Sequence, residues 1–380
     1  MKKITMLLTN AFLPDPRPHR EALSLARAGY SVKILCWDRG EGLAPRDVID
    51  GIAVERIRVA SRHGRGPLQI VFLLQVWCTM AARVFKDMPD LVWCHDFDTL
   101  PAGIIIKKCK GNKLVFDSHE VFSKMLGGNV PAFLKKFIAI LERWLIKYAD
   151  MIIVTCAAMR DFYAFRGAAN ILVVGNQKDP AVFQIPPEML DGQRSILGIG
   201  GELVISYIAN LGPERIIAPL LDIVKDDSGL FLIIGGDGCQ KPLVEAAARD
   251  CRRIKYLGYV PHDRVPLYTA LADVVYYGYD KNSGMAEYCN PNKLFEALAA
   301  GRAFLGGDFG EMGKIIKEEG CGIALAGFTR ESIQDAVAIL KDRKRLEEFK
   351  ANARTAGASK YNWQHVEKNL LGAVVKMESN

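Results

Sequence analysis

The chain has 380 residues, half of them hydrophobic, and a formal net charge of +7. That length predicts two domains, and that apolar content excludes a largely disordered chain. No block of like charge and no interleaving of aromatic and basic residues occurs, so a nucleic-acid partner is not expected; the modest positive balance suits phosphate-bearing substrates or an anionic membrane surface.

The nine cysteines are scattered, with no Cys-x-x-Cys pair, and Cys36, Cys94 and Cys156 fall in apolar runs. The expectation is reduced, buried thiols in a cytoplasmic protein. Met1-Lys2-Lys3 precedes an apolar run of only Ile4 to Leu8, interrupted by Thr5. It reads as a first strand rather than a signal peptide. The longest apolar segment, Ile70 to Phe85, contains Gln75 and Arg83 and is too short to span a bilayer. It reads as a helix that packs on a sheet or lies on a membrane surface. The localisation expected is cytoplasmic, with peripheral attachment to the inner membrane face as an extension of that reading.

In chain order, Lys3–Leu8 is a buried strand, a loop with three prolines follows, Arg20–Ala28 is helical, and Ser31–Trp37 is a second strand. Strand, helix and strand in this order form a βαβ unit, whose ligands bind outside the carboxyl ends of the strands. Arg17, Arg20 and Glu21 lie there. No Gly-x-Gly-x-x-Gly motif accompanies them, which argues against a dinucleotide site. Val54–Val59 is a strand, and Leu68–Lys86 a helix. A strand then runs from Asp90 into His95-Asp96-Phe97-Asp98, a helix reaches Lys108, and the strand Lys113–Phe116 ends in Asp117-Ser118-His119-Glu120. Histidines and carboxylates at two strand ends form a plausible cleft constellation, with His119 between Asp117 and Glu120 the strongest candidate. Asp96 and Asp98 alone are too few ligands to imply a metal, and none is expected. Pro131–Tyr148 is a long helix, Met151–Thr155 and Ile171–Val174 are strands, and Ala157–Phe165 is the helix between them. Residues 177–202 are rich in Pro and Gly without a clear period, and the domain boundary is placed there.

The second half repeats the rhythm. Strands Leu203–Ala209, Leu230–Ile234, Ile254–Leu257, Asp273–Tyr277 and Ala303–Gly306 alternate with helices Ile216–Val224, one from Pro242, Arg264–Ala270, one near Gly310–Lys317, and Arg330–Leu340. The loops after the strands read Asn210-Leu211-Gly212-Pro213-Glu214-Arg215, Gly235-Gly236-Asp237-Gly238 and Gly258-Tyr259-Val260-Pro261. Two glycines after a strand allow a ligand close to the backbone. This alternation predicts an α/β fold of two doubly wound, Rossmann-like domains in tandem. A short helix at 290–301 is the element facing their cleft. Asn290 is its expected N-cap, Pro291 its first residue and Gly301 its C-cap. The N-terminus favours an anion, Lys293 in the first turn favours one further, and Glu296 has acceptor sites for two hydroxyls.

These elements and residues resemble a glycosyltransferase of the GT-B fold, family 4, the glycosyl transferases group 1, over essentially the whole chain. The amino-terminal markers are Asp15-Pro16-Arg17 with Arg20-Glu21-Ala22, His95-Asp96-Phe97-Asp98-Thr99-Leu100-Pro101, and Asp117-Ser118-His119-Glu120. The carboxyl-terminal markers are the three loops above, Pro291-Asn292-Lys293-Leu294-Phe295-Glu296, and Tyr361-Asn362-Trp363 at the start of the last helix. The resemblance implies an acceptor-binding domain at 1–182, a nucleotide-sugar domain at 183–360, and a final helix at 361–380 crossing back to the first domain.

By the resemblance, Glu296 holds the ribose hydroxyls, and Arg215 neutralises the diphosphate with help from Lys293 or the helix N-terminus. His119 contacts the donor sugar or the leaving group. Asn210, Gly212, Gly236, Gly238, Val260, Glu287, Tyr288, Asn292 and Leu294 are expected around the donor, and Arg17, Arg20, His95 and Asp96 around the acceptor. Two departures stand out. Tyr288 occupies the position of the second glutamate that many members carry, with Glu287 beside it. Ile216 and Ile217 stand where a lysine usually follows the phosphate-binding arginine. The leading expectation is a retaining, metal-independent transferase with no cofactor. Its donor is a nucleotide sugar, most simply a UDP-sugar, and its acceptor a glycan or lipid-linked saccharide. A nucleotide-sugar epimerase on the same fold and a catalytically silent sugar-binding subunit are the alternatives.

Overall fold

The computed structural model describes residues 1–13, 15–40, 42–61, 69–126 and 130–379. The chain forms two compact units: Met1–Gly175 together with Glu367–Asn380, and Asn176–Val366. The division falls a few residues before the boundary expected at 182.

Unit 1 is built on eight strands: β1 (Lys3–Leu8), β2 (Ser31–Asp38), β3 (Arg46–Ile49), β4 (Ile52–Arg58), β5 (Leu91–His95), β6 (Lys113–Ser118), β7 (Met151–Val154) and β8 (Ile171–Val173). Their order is β3-β4-β2-β1-β5-β6-β7-β8. All pairs are parallel except β3 with β4. Central strands such as β5 are buried along their whole length, as a sheet covered on both faces requires. The first helix runs Pro16–Arg27 and so begins earlier than the expected Arg20, because a proline with its fixed φ occupies its first turn. The hairpin β3–β4 was not foreseen; its turn places Asp50 at φ 49° and Gly51 at φ 83°. The helix Gln69–Asp87 follows the expected segment and ends one residue beyond its Lys86, while Leu68 lies outside the described residues. It buries Val76, Met80, Ala81 and Val84.

Unit 2 is a six-stranded parallel sheet of β9 (Leu203–Ile208), β10 (Leu230–Gly235), β11 (Ile254–Tyr256), β12 (Val274–Tyr276), β13 (Ala303–Gly307) and β14 (Gly322–Leu325), in the order β11-β10-β9-β12-β13-β14. The stretch 177–202, expected to be an aperiodic linker, holds a 3-10 turn at Pro180–Phe183 and a helix at Pro187–Leu197. Leu197 is the one fully buried residue of that helix, so it carries little apolar period; Pro187 in the first turn and left-handed Gly198 after the last residue delimit it instead.

The helix carrying the expected site runs Asn292–Ala300, capped by Pro291 rather than Asn290, with left-handed Gly301 after it. A helix not anticipated, Arg343–Ser359, packs against it. The approach is close because Gly357 has no side chain: a Cβ there would lie 2.3 Å from the carbonyl oxygen of Leu298. The final helix spans Trp363–Ser379 and joins unit 1 from Glu367 onward. None of the nine cysteines is in a disulfide. Among the described residues, no helix is long and apolar enough to cross a membrane.

Candidate functional site

Two groups of polar side chains in unit 2 follow the carboxyl ends of its strands. The first is at the head of the helix Asn292–Ala300. Glu296 is buried, at 6% exposure, although it is charged. Its Oε2 accepts from Lys293 Nζ at 2.6 Å, and Lys178 Nζ lies 3.9 Å from Oε1. Lys178 also donates to Asn292 Oδ1 at 2.7 Å. A buried carboxylate is costly without partners, and here two cations supply them. The sequence reading missed Lys178, which sits in the stretch taken for a linker. No spacing could have tied it to Glu296; a bridge to Asn362 and the bond from Trp363 N to Lys178 O at 3.0 Å hold it in place.

The second group surrounds Arg215. Its guanidinium lies 4.8 Å from the centres of both the Tyr277 and Tyr279 rings. The two rings are stacked with an interplanar angle of 3°. Arg215 Nη1 donates to the Tyr277 hydroxyl, and Nε lies 3.1 Å from Glu214 Oε1. Burial works against the charge, but Tyr277, Tyr207 and Glu214 outweigh it and raise the pKa, so the cation persists. The tyrosines were a visible signal, Tyr276-Tyr277-Gly278-Tyr279 at the end of β12, which the sequence reading left unused. Ile217, in the place of the absent lysine, is a core residue at 1% exposure.

The glycine loops serve backbone packing. Gly236 has φ 138°, and a Cβ on it would lie 1.8 Å from the carbonyl oxygen of Ala209; Gly238 has φ 149°, and a Cβ on it would lie 2.6 Å from that of Leu211. Loop meets loop at these points, so the close neighbour is the protein's own backbone. Gly212 is buried, and its carbonyl accepts from the Gln240 amide. Asn210 is exposed, its carbonyl fixed by the Tyr207 hydroxyl at 2.9 Å. Val260 packs in the core with Ile208, Phe231 and Ile233, and Leu294 packs with Phe295 and Leu298. Both therefore shape the site from behind. On the 3-10 turn Ala286–Tyr288, Glu287 is exposed and Tyr288 is buried.

Unit 1 gathers Arg17, Asp117, His95, His119 and Asp96. Arg17 grips Asp117 with two bonds, Nη2 to Oδ1 at 2.7 Å and Nε to Oδ2 at 3.2 Å, and donates through Nη1 to Val174 O at 2.7 Å. It is buried, so its contacts are internal and it acts by fixing Asp117. Asp117 would be pushed up by burial, but Arg17 and His119 hold it well below the usual carboxylate range. His95 Nδ1 lies 3.1 Å from Asp117 Oδ2 and 3.2 Å from His119 Nε2. Burial lowers the pKa of His95, and its Nε2 has no hydrogen-bond partner.

His119 differs. Burial opposes its charge, but Asp96 and Asp117 outweigh burial and raise it to about 9. Its Nδ1 lies 3.4 Å from Asp96 Oδ2, and its Nε2 3.3 Å from Asp117 Oδ2. At neutral pH it is therefore a cation and a donor rather than a base. Asp96, which bonds the His119 N–H through Oδ1 at 3.2 Å, has a left-handed backbone with φ 62°. A non-glycine residue held there is strained, and such strain concentrates at functional sites. Arg20 is half-buried, and burial together with the Arg17 charge pushes it down to about 10. Glu21 is fully buried beside Arg17, and burial pushes it up to about 8.

His95, Asp117 and His119 are close enough to share a metal ion. However, Arg17 already grips both oxygens of Asp117, and His119 is turned to Asp96 and Asp117 through its two ring nitrogens. The group fits an internal cation network better than a metal.

Residues 16–177 match the family model of the glycosyl transferase 4-like domain, and residues 204–342 match that of the glycosyl transferases group 1. The chain belongs to the group 1 glycosyl transferases. It is 25% identical over 288 residues to the glycogen synthase of Mycobacterium tuberculosis, covering 73% of this chain and 66% of that protein, just under two thirds of the relative's length. Its fold is similar to sucrose-phosphate synthase from Thermosynechococcus elongatus, with a TM-score of 0.81 at 14% identity over 100% of both chains. It is also similar to Anabaena HepE in complex with UDP-glucose, with a TM-score of 0.74 at 15% identity over 99% of this chain and 100% of the other. These likenesses place the fold of this group 1 member in the GT-B class.

Proposed function

We propose that the protein is a hexosyltransferase that moves a sugar from a UDP-sugar to a glycan or lipid-linked acceptor, with retention and without a metal ion. The observation that carries this reading is buried Glu296 held between Lys293 and Lys178 at the head of a helix. Two vicinal ribose hydroxyls can replace the lysine contacts on the carboxylate, and the lysines so released face phosphate oxygens. Arg215, charged and braced by two stacked tyrosines, neutralises the developing negative charge of the departing diphosphate. Three cations thus supply the neutralisation that a divalent ion provides elsewhere. In unit 1, His119 is a fixed cation for an oxygen of the substrate, positioned by Asp117 and Asp96. Relatives in fold that hold UDP-glucose support the donor class. Retention rests on the family resemblance.

The test is a thermal-shift panel of UDP, GDP, ADP and their glucose conjugates against wild type and Glu296→Ala. A ligand at a hundredfold excess over its dissociation constant stabilises the native state by about 2.7 kcal/mol, a readily visible shift. A shift with UDP and UDP-glucose that disappears in the variant is expected. No shift with any nucleotide would overturn the donor site and favour a silent subunit, a reading to which buried Tyr288 in the second glutamate's place lends support.

A further inference from the structure

The helix Ala132–Leu145 in unit 1 turns its apolar side outward. Phe133, Phe137, Ile140 and Trp144 are 77%, 60%, 60% and 54% exposed. At about 100° per residue they fall within an arc of about 60°, a single stripe along the helix. Only Glu142 and Leu145 of the whole helix are buried, so among the described residues none covers the stripe. Scattered exposed apolar residues are ordinary, but four large ones aligned on one helix mark an interaction surface.

The charges around the stripe have one sign. Lys136, Arg143 and Lys147 are exposed beside it. The neighbouring helix Leu100–Lys110 sends Lys108 to it, with Nζ 5.9 Å from the Trp144 ring centre and 4.5 Å from that of Tyr148. The one acid on the helix, Glu142, points inward and accepts from the Tyr163 hydroxyl at 3.1 Å. Asp150, just beyond, is neutralised by Lys107 at 2.7 Å. A second copy of the chain would bring like charges together along this rim, whereas an anionic bilayer pairs with them. We propose that this face docks the protein on an anionic phospholipid surface, with the aromatic stripe in the interface and the cations at the headgroups. The sequence directed attention to Ile70–Phe85 for this role. In that helix the Trp77 indole donates to Asp98 O at 2.6 Å, while Val71 and Leu74 are exposed. The inference goes beyond the hexosyl-transfer reading and stands without it.

The experiment floats the full chain with vesicles of phosphatidylcholine alone or mixed equally with phosphatidylglycerol. Flotation is expected with the anionic vesicles at low salt and is reduced about tenfold with the neutral ones or at high salt. Phe137→Ser with Trp144→Ser reduces it about as much, while the UDP thermal shift of the same variant stays as in wild type. Lys136→Glu with Arg143→Glu keeps the stripe and also loses flotation, which covers the case that the first variant folds poorly. The blue shift of tryptophan emission on vesicles disappears in Trp144→Phe, which still floats. Absence of wild-type flotation, wild-type flotation in both double variants, or a dimer in sedimentation equilibrium that the serine variant abolishes would each overturn the proposal.

Discussion

Lys293 Nζ and Glu296 Oε2 are 2.6 Å apart on one helix, and both side chains are largely shielded from water. Replacing Glu296 by Ala deletes the acceptor proposed for the two ribose hydroxyls, each a charge-assisted hydrogen bond of about 1.5–3 kcal/mol. UDP affinity is expected to fall on the order of 100-fold or more, as measured by calorimetry. The loss of the carboxylate also leaves Lys293 and Lys178 facing each other, so the melting temperature drops as well. A variant that binds UDP as well as wild type would remove Glu296 from the donor site.

Arg215→Lys keeps the charge and loses the planar group that lies over Tyr277 and Tyr279. A lysine cannot stack or present paired donors, so the substitution is not conservative here. The expectation is a fall in kcat/KM for UDP release from UDP-glucose on the order of 100-fold, with little change in melting temperature. Equal kinetics would show that phosphate charge is met elsewhere.

Stability should decline as pH rises above neutral. His119 goes from 6.5 to about 9 on folding, so its contribution is complete below pH 6.5 and disappears as pH passes 9. Glu21 goes from 4.5 to about 8, so the folded state holds a proton that the unfolded state releases, and stability falls across that window too. Urea midpoints at several pH values measure the slope, which His119→Gln flattens in its upper part. An unchanged slope in that variant would assign it to other groups.

Gly236→Ala should destabilise strongly, by about 3 kcal/mol or more, because the new methyl meets the Ala209 carbonyl in a backbone conformation that suits glycine. Gly372→Ala is the control. It lies on the exposed side of the last helix with nothing within 4 Å of a Cβ, so it should stabilise by roughly 0.5–1 kcal/mol. Urea unfolding of the two variants gives both values.

Removing divalent ions should leave turnover unchanged. With charge neutralisation resting on Arg215, Lys293 and Lys178, an excess of EDTA has no target in the reaction. Loss of activity on chelation and its recovery with magnesium would contradict the metal-independent reading.

The alternating elements were legible in the sequence because buried parallel strands such as Leu230–Gly235 are continuous apolar runs, and Gly301 marks a helix end. What escaped was structure without an apolar signature. The helix Pro187–Leu197 buries one residue. β14 begins at Gly322, whose lack of a side chain admits the Phe304 carbonyl, and a glycine gives no strand signal. Within the candidate site, Glu296, Lys293, Arg215 and His119 could be named from motifs, whereas most of their braces could not. Lys178 and the grip of Arg17 on Asp117 join positions far apart in sequence, and only folding brings them together; Tyr277 and Tyr279 stood in view at the end of β12 but carry no sign of the arginine they brace.

The return of the last helix to unit 1 makes unit 2 an insertion within unit 1 rather than its successor. Leu370, Val374 and Met377 are buried, and Glu378 bonds Lys2 at 2.9 Å and Tyr30 at 3.1 Å. A fragment cut at Gly175 would therefore be missing part of its own interior. Expressing the first unit alone calls for a chimera that fuses the segment from Glu367 behind Gly175 through a linker; simple truncation leaves an unfilled apolar groove.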